Sequence, residues 1–592
     1  MLKQLRAAMQ KSNLDAYIVF NTDPHQSEYT AKEWKMREWI SGFTGSNGTA
    51  VILKDQAALW TDHRYIIQAQ TELSETDFSL FMIGEKNDPT IEEWLYKHIP
   101  SGGTIGVNGE QITVEQANIW QKKWKQKKIQ LILDQDLITP LWKNRPRPHT
   151  TPIIEHPLKY AGASVPEKLT ALRKRLKKEK ATHYLLSSLY DIAWLFNIRA
   201  NDLPHCPVAR AYALIDQKEA TLFLEEKHLT ASVKTILKKS AVSHQPYSNI
   251  KTILSDLPQK SQLYFDPKQT TVSLTKAISC QTIKGPELTT LPKAIKNETQ
   301  IKSWKNVHLI DAVAMIRFWK WLEETLPNQS INEWNAAKKI DQFRLSNPTC
   351  KDLSFSTISA YGSNAAIVHY APKKDLSTEL KQQGLYLLDS GGQYFGGTTD
   401  ITRTLALGKT THQEQQDYTL VLKGLIHLSS ARFPKGTTGA NLDILARQPL
   451  WKAGLDFKHG TGHGVGYYLN VHEGPQSFSQ NKNNTIPLES GMVITIEPGI
   501  YRKNSHGIRL ENMVYIQNTE ETEFGTFQQI KTLTCVPFDT TPLDLSLLTP
   551  FECNWINQYH KTILKQLTPL LSSTEQKWLA EKTAPIFHPT TQ

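Results

Sequence analysis

Cysteine is scarce in this chain of 592 residues, and the five that occur are far apart, at positions 206, 280, 350, 535 and 553. Their number is odd, no two form a CxxC pair, and no short-spaced set is present. This pattern excludes the disulfide framework of a small secreted domain. It favours a protein of the reducing cytoplasm.

Long apolar runs are also missing. No stretch approaches the roughly 20 apolar residues that span a bilayer, and no hydrophobic signal region is followed by a small-residue cleavage site. Lys3, Arg6 and Lys11 precede the first acid, so a mitochondrial presequence has to be weighed. The helical stripe that includes Leu5 and Met9 leads into the strand-like AYIVF, which favours the start of a folded domain. We therefore expect a cytoplasmic protein with no membrane partner.

What the chain does contain is material for several packed cores. Its hydrophobic fraction is 39%, with 15 Trp, 20 Tyr and 19 Phe, and its length is too great for a single-domain binding module. The formal charge of +11 raises the possibility of nucleic-acid binding. The basic residues concentrate at 121–128 and 173–180, on predicted helices beside apolar stripes, without a nucleic-acid motif. We therefore predict solvated helix faces and no nucleic-acid partner.

The order of apolar and polar segments predicts four regions. In 1–150, short apolar strands alternate with helical stripes, as in an α/β domain, and 151–300 has a similar arrangement after a proline-rich linker. Region 301–545 opens with a long amphipathic helix from Lys302 to about Leu326 and holds most of the glycine-punctuated strands. Region 546–592 has a helical pattern. The predicted fold class is α/β (α+β), with two related N-terminal α/β domains before a catalytic one.

Two acids mark the strands of the segment 385–407. Asp389 closes one apolar strand, and Asp400 lies in the next after a Gly-rich turn. In an antiparallel hairpin such positions return towards each other, so the two carboxylates are expected within a few ångströms. Like charges at that distance repel unless a cation lies between them. A metal ion is the expected partner.

Further candidate ligands stand at strand ends and in Gly-rich turns downstream. They are His459, His463, His472, Glu497 and Glu511. Arg509 lies two residues before Glu511, on the same face of a predicted strand. Taken alone, any of these acids would more often be salt-bridged or exposed. The ordered set of two Asp, one His and two Glu is suited to two divalent ions bridged by carboxylate.

Several motifs together resemble a known family. DSGGQYFGGTTDITRT, HGTGHGVG, VHEGP, EPG and GIRLEN are similar to segments of the pita-bread metallopeptidases, most closely the Xaa-Pro aminopeptidases. DPHQSEY and LWTDHRY resemble that family's first domain, and DIAWLFNIRANDLPHCPV resembles its second. FECNWINQYHKTILKQL resembles the C-terminal extension of the long, three-domain cytosolic type. The resemblance covers nearly the whole chain and implies a pita-bread catalytic domain at 301–545.

The resemblance also implies roles for residues. The implied ligands of two divalent ions, most simply manganese, are Asp389, Asp400, His463, Glu497 and Glu511. Among them Asp400 and Glu511 would bridge the ions. The implied active-site histidines, which bind the scissile carbonyl, the proline and the tetrahedral intermediate, are His369, His459 and His472. Arg509 would pair with ligand carboxylates, and the family implies a homodimer.

The implied function is a metal-dependent aminopeptidase that removes the N-terminal residue from peptides with proline in the second position. A metal-bridging hydroxide would attack the Xaa-Pro bond, with Glu497 moving the proton. Prolidase, which cleaves Xaa-Pro dipeptides with similar ligands, is the first alternative. A non-catalytic pita-bread binding protein is the second, although all five ligands are present. A methionine aminopeptidase would need only about half this length.

Overall fold

The computed structural model describes residues 1–589, which form two compact units. One unit contains Met1–Leu158 and Ala163–Thr289, and the other contains Lys159–Gly162 and the chain from Thr290 onwards. Among residues 1–589, no helix combines the length and the apolar character needed to cross a membrane.

Two six-stranded sheets of the same topology organise the first unit. In sheet order, the first consists of Phe78–Met82, Ala57–Thr61, Thr49–Leu53, Ala16–Val19, Thr104–Val107 and Gln130–Ile132. The second consists of Ser243–Pro246, Ala220–Leu224, Ala211–Asp216, His183–Leu186, Gln262–Phe265 and Gln281–Lys284. In each sheet, read in this order, the first two strands pair in parallel. The next two pairings are antiparallel, and the last two are parallel. The two halves therefore share one strand order.

Central strands of these sheets are apolar because both of their faces are covered. Ala16–Val19 and Ala57–Thr61 are buried throughout, as expected for strands with packing on both sides. The covering helices are Leu2–Lys11, Met36–Ser41, Ile66–Glu72, Ile91–His98, Val114–Trp124, Val165–Lys178, Leu189–Leu195, Ala231–Lys239, Ile250–Ser255 and Val272–Thr275. A short pair, Ile154–Glu155 and Ile198–Arg199, completes the strands of this unit, and the helix Leu158–Ala161 ends the linker.

The second unit combines long helices with four sheets. Its helices are Thr290–Ala294, Glu298–Thr325, Glu333–Leu345, His412–Ser429, Gly439–Lys452, Pro550–Leu567 and Ser573–Lys582. It has two three-stranded sheets. One consists of Cys350–Leu353, Gly392–Tyr394 and Gly397–Thr398, and the other of Ile358–Tyr361, Leu385–Ser390 and Ile401–Ala406. Its six-stranded sheet runs Arg432–Pro434, Gly525–Thr532, Asn512–Thr522, Val493–Ile496, Gly462–Gly464 and Glu473–Phe478. A ribbon of Gly499–Arg502 and His506–Arg509 completes it.

The two acid-bearing strands pair as predicted, but the connection between them is more elaborate than a turn. Leu385–Ser390 pairs antiparallel with Ile401–Ala406, and Asp389 lies opposite Thr402. The intervening residues form a small hairpin of their own in a separate sheet. The expectation that Asp400 lies inside its strand is wrong, because Asp400 directly precedes Ile401–Ala406, two residues before Thr402, the residue opposite Asp389. A side chain at Gly391 would meet the Thr399 carbonyl oxygen at 1.9 Å, so only glycine allows this close crossing.

Strand register also brings the two glutamates together. In the six-stranded sheet, Ile496 lies opposite Asn512 in an antiparallel pair. The next positions along both chains are Glu497 and Glu511, so these acids meet at the same end of the ladder. The expectation that Glu511 lies inside a strand is wrong, because it occupies a break between His506–Arg509 and Asn512–Thr522. Its side chain therefore does not follow the alternation of side chains between the two faces of a strand.

Candidate metal centre

One histidine and three of the predicted acids meet within the second unit. Asp400, His463 and Glu511 each offer a ligand atom, and the three atoms all lie within 4.8 Å of one another. The Nε2 atom of His463 is 3.4 Å from an Asp400 oxygen and 3.5 Å from Oε1 of Glu497. Residues 111 positions apart in the chain thus surround one small volume.

Asp389 joins this group through a shared arginine. Nη2 of Arg509 donates a hydrogen bond of 2.6 Å to Oδ2 of Asp389, and its Nε donates one of 3.2 Å to the Thr402 hydroxyl. The Thr402 hydroxyl in turn donates to Oε2 of Glu511 at 2.8 Å. The arginine is 2% exposed, so its charge acts on these acids with little screening by water.

The acids raise one another's pKa values because they are crowded and buried. Burial and the neighbouring charges of Asp400 and Glu497 raise the pKa of Glu511 well above its usual value. Burial also raises the pKa values of Asp389 and Glu497. Burial alone would lower the pKa of His463, but its contact with Asp400 and the charge of Glu497 raise it to about 9. The cluster holds an excess of negative charge that a cation would offset.

The donor set fits divalent metal ions. His463 Nδ1 lies 2.8 Å from its acceptor, the Gly464 carbonyl oxygen, so the Nε2 lone pair is directed to the acids, as in a metal-ligating histidine. The buried Oδ1 of Asp389 has no hydrogen-bond partner in the described chain. A buried carboxylate oxygen without a partner destabilises the fold unless it binds another group, such as a metal ion. Ligand atoms about 2.2 Å from one ion lie at most about 4.4 Å apart, close to the spacing found here. Four carboxylates and one imidazole include too many carboxylates for one structural zinc, and they suit a carboxylate-bridged pair of divalent ions.

The three predicted active-site histidines lie on three different segments of the chain. The ring of His472 is 4.3 Å from the ring of His463, centre to centre, at 76°. Nε2 of His459 lies 2.9 Å from the Tyr501 hydroxyl. His369 follows Val368, whose carbonyl oxygen accepts a hydrogen bond of 3.3 Å from Arg509. The backbone beside His369 is thus tied to the arginine that holds Asp389.

Neutral residues orient the charged ones, and they are not among the site residues predicted from the sequence. Thr402 lies between Glu511 and Arg509, and Thr495 donates to Oε1 of Glu497 at 3.2 Å. The Tyr501 hydroxyl receives a hydrogen bond of 2.9 Å from Nη1 of Arg509. A usable signal exists in the sequence, since each threonine stands two residues from a predicted ligand.

Comparison with known proteins identifies the family. Residues 302–518 match the model of metallopeptidase family M24, and residues 526–586 match the C-terminal region of that peptidase. Residues 1–135 and 144–300 both match creatinase/prolidase N-terminal domains. The chain is 37% identical to aminopeptidase P1 of Arabidopsis thaliana over 642 residues, with 99% of each chain covered. The chain belongs to the aminopeptidase P group of the M24 metallopeptidases. It is therefore a hydrolase, and the predicted fold class is confirmed.

Other members of the group show the same full-length likeness. A probable Xaa-Pro aminopeptidase P of Pyricularia oryzae is 39% identical, covering 99% of this chain and 98% of that one. The crystal structure of X-prolyl aminopeptidase from Caenorhabditis elegans, described as a cytosolic enzyme with a di-nuclear active site, matches with a TM-score of 0.95 at 34% identity and covers 99% of both chains. A prolidase of Pyrococcus horikoshii, 24% identical with a TM-score of 0.51, covers 63% of this chain and shares the fold.

Proposed function

We propose that this M24 metallopeptidase removes the N-terminal residue from peptides with proline in the second position. The observation that carries the proposal is the cluster of four carboxylates and His463 beside three histidines, in a chain that resembles aminopeptidase P relatives from end to end. The likeness includes both N-terminal domains and the C-terminal region, which favours this activity over that of shorter family members.

We further propose that the cluster holds two divalent ions, most simply manganese. The ligands would be Asp389, Asp400, His463, Glu497 and Glu511. Carboxylate oxygens and one imidazole suit manganese, which prefers oxygen-rich sites. When bound, such a pair of ions lowers the pKa of water and polarises a carbonyl oxygen.

The chain's own residues would supply the proton transfers and the hydrogen bonds. The Glu497 carboxylate would accept the proton of the attacking water and deliver it to the proline nitrogen, because a tertiary amide leaves only when that nitrogen is protonated. His472 would donate a hydrogen bond to the oxygen on which charge develops. His369 and His459 would hold the scissile carbonyl and the proline. Arg509 would keep Asp389 ionised and correctly oriented.

Prolidase activity is the alternative, since it uses a similar ligand set on Xaa-Pro dipeptides. We propose that domain boundaries lie near 150, 300 and 545. The match of 1–135 and 144–300 to creatinase/prolidase N-terminal models supports the first two regions.

Assembly and location belong to the same proposal. We propose a homodimer, which light scattering would report as about twice the chain mass of 67.3 kDa. A cytoplasmic location is supported by the cytosolic C. elegans relative and by five cysteines, none of which forms a disulfide in the described chain.

A substrate pair separates the two peptidase activities. Purified protein, freed of metal and reloaded with manganese, should release arginine from Arg-Pro-Pro and cleave Arg-Pro much more slowly. Cleavage of the dipeptide at an equal or higher rate would favour prolidase. No cleavage of either peptide by the metal-loaded protein would overturn the enzymatic proposal.

A further inference from the structure

A cavity in the second unit lies apart from the candidate metal centre. Its volume is about 660 Å³, within the range of small-molecule sites. It is bounded by the first half of the helix Glu298–Thr325, by Lys159 and Tyr160, and by the hairpin that carries Tyr394 and Phe395. None of the five proposed metal ligands lines it.

Three lysines from separate parts of the chain converge on this cavity. Lys159, Lys302 and Lys351 all line it and are all exposed. None of the lining residues, all of which lie in the described chain, carries a carboxylate. No carboxylate of residues 1–589 forms an ion pair with any of the three ammonium groups. Three cations around one volume repel each other unless an anion lies between them.

An aromatic wall stands beside these cations. The rings of Tyr160 and Phe395 are stacked with centroids 5.8 Å apart and planes at 13°. Phe395 is also braced by Tyr468, whose ring centroid lies 5.3 Å away. Lys159 and Lys351 lie 5.1 Å from the centroids of the Tyr160 and Phe395 rings, so cations and rings occupy the same wall.

The floor of the cavity, at Tyr394, is held by hydrogen bonds among buried residues. Tyr394 is buried, and its hydroxyl donates a hydrogen bond of 2.8 Å to Asp311. Asp311 is in turn held by two hydrogen bonds, of 2.8 and 3.1 Å, from the buried Arg344. A preformed floor lowers the ordering cost of binding.

We propose that this cavity binds an organic phosphate of the nucleotide class. The phosphate groups would lie among the three ammonium groups, with the hydroxyls of Thr299 and Ser303 as further donors. The planar ring would pack against the wall formed by Tyr160 and Phe395. Multiple phosphate charges match three lysines better than a single carboxylate does.

Calorimetric titration of the manganese-loaded full chain tests this site with three probes. ADP carries both ring and phosphates, pyrophosphate carries only charge, and adenosine carries only the ring. We expect ADP to bind at least tenfold more tightly than either of the others, and more weakly as salt rises. Equal affinities for ADP and pyrophosphate, or no binding of ADP, would overturn the proposal.

Variants distinguish this cavity from the metal centre. The double variant Lys302→Ala/Lys351→Ala and the charge reversal Lys302→Glu should each weaken ADP binding at least tenfold with peptidase activity kept. Lys305→Ala is the matched control, because Lys305 lies on the same helix, is exposed and faces the Tyr515 ring instead. ADP binding that survives both lysine changes, or is lost equally in the control, would place the nucleotide elsewhere and contradict the proposal.

Discussion

At the residue scale, the proposed site assigns metal binding and substrate contact to different residues. His463 faces Asp400 and Glu497 directly, whereas the ring of His472 packs against the ring of His463. This difference in position should separate metal retention from turnover.

His463→Ala should therefore lose both bound metal and activity, with metal affinity reduced by about 100-fold or more, since even outer partners of ligands contribute 10- to 100-fold. His472→Ala should keep most of its metal and lose about 10²- to 10³-fold in kcat, as expected for one donor to a developing oxyanion. Elemental analysis after dialysis and kcat on Arg-Pro-Pro measure the two effects.

Glu497→Ala is a third variant for the same two measurements, because Glu497 is proposed both to bind metal and to move a proton. It should resemble His463→Ala in metal content. If all three variants lose metal to the same extent, the separate role given to His472 is wrong.

At the element scale, the sequence predicts where acids stand on strands but not how the strands are joined. Apolar runs ending in Asp389 and Glu497 identify the strand ends, because such acids are costly inside a core without a partner. The extra hairpin between Asp389 and Asp400 depends on a close crossing at Gly391, a tertiary contact that local pattern does not encode. The break at Glu511 escapes prediction for the same reason, since the flanking residues read as one continuous strand.

One buried acid connects the helix Pro550–Leu567 to the helix His412–Ser429. Glu552 closes the capping box with Thr549 and also accepts hydrogen bonds of 2.8 Å from Lys423 and His427 on the helix His412–Ser429. Although burial opposes it, these hydrogen bonds lower the pKa of Glu552 to about 2. The carboxylate is therefore held in its charged form.

Glu552→Gln should lower the free energy of unfolding by about 2 kcal/mol at pH 7, the scale of a lost charged hydrogen bond. A carboxyl whose pKa is lower in the folded state stabilises the fold above its unfolded pKa, near 4.3, and that stabilisation is lost as the pH falls towards 2. The difference between variant and parent in urea unfolding should therefore shrink from pH 5 to pH 2.

Glu414→Gln provides the comparison, because Glu414 closes the same kind of capping box with Thr411 but has no basic partner in the described chain. Its cost should be smaller, at about 1 kcal/mol or less. If the difference in unfolding free energy between Glu552→Gln and the parent protein stays constant across this pH range, the charged contact of Glu552 does not stabilise the fold.

At the scale of the whole molecule, the two compact units differ in chemistry. The five proposed ligands come from positions 389 to 511, all in the second unit, and the first unit contributes none. The net charge of +11 conceals this acid cluster, since the basic residues concentrate elsewhere, at 121–128 and 173–180. Metal binding should consequently stabilise one unit and leave the other unchanged.

Removing the metal with a chelator should lower the unfolding temperature of the second unit by roughly 5–10 °C, because a ligand at 100 times its Kd adds about 2.7 kcal/mol to the folded state. Scanning calorimetry should show one transition that moves and one that does not. The His463→Ala variant should show little change on chelation. Equal shifts of both transitions, in the parent protein, would contradict ligation confined to the second unit.

The contacts of Tyr501 fix the tautomer of a histidine. Arg509 can only donate, so the Tyr501 oxygen accepts that hydrogen bond and its own proton is directed to Nε2 of His459. Burial raises the pKa of Tyr501 to about 12, so this proton stays in place at neutral pH. Nε2 of His459 is then an acceptor, and the ring proton lies on Nδ1, where it is donated to the Gly460 carbonyl oxygen at 2.8 Å. His459 is then oriented by contacts at both ring nitrogens, and Tyr501→Phe would remove the contact that orients Nε2.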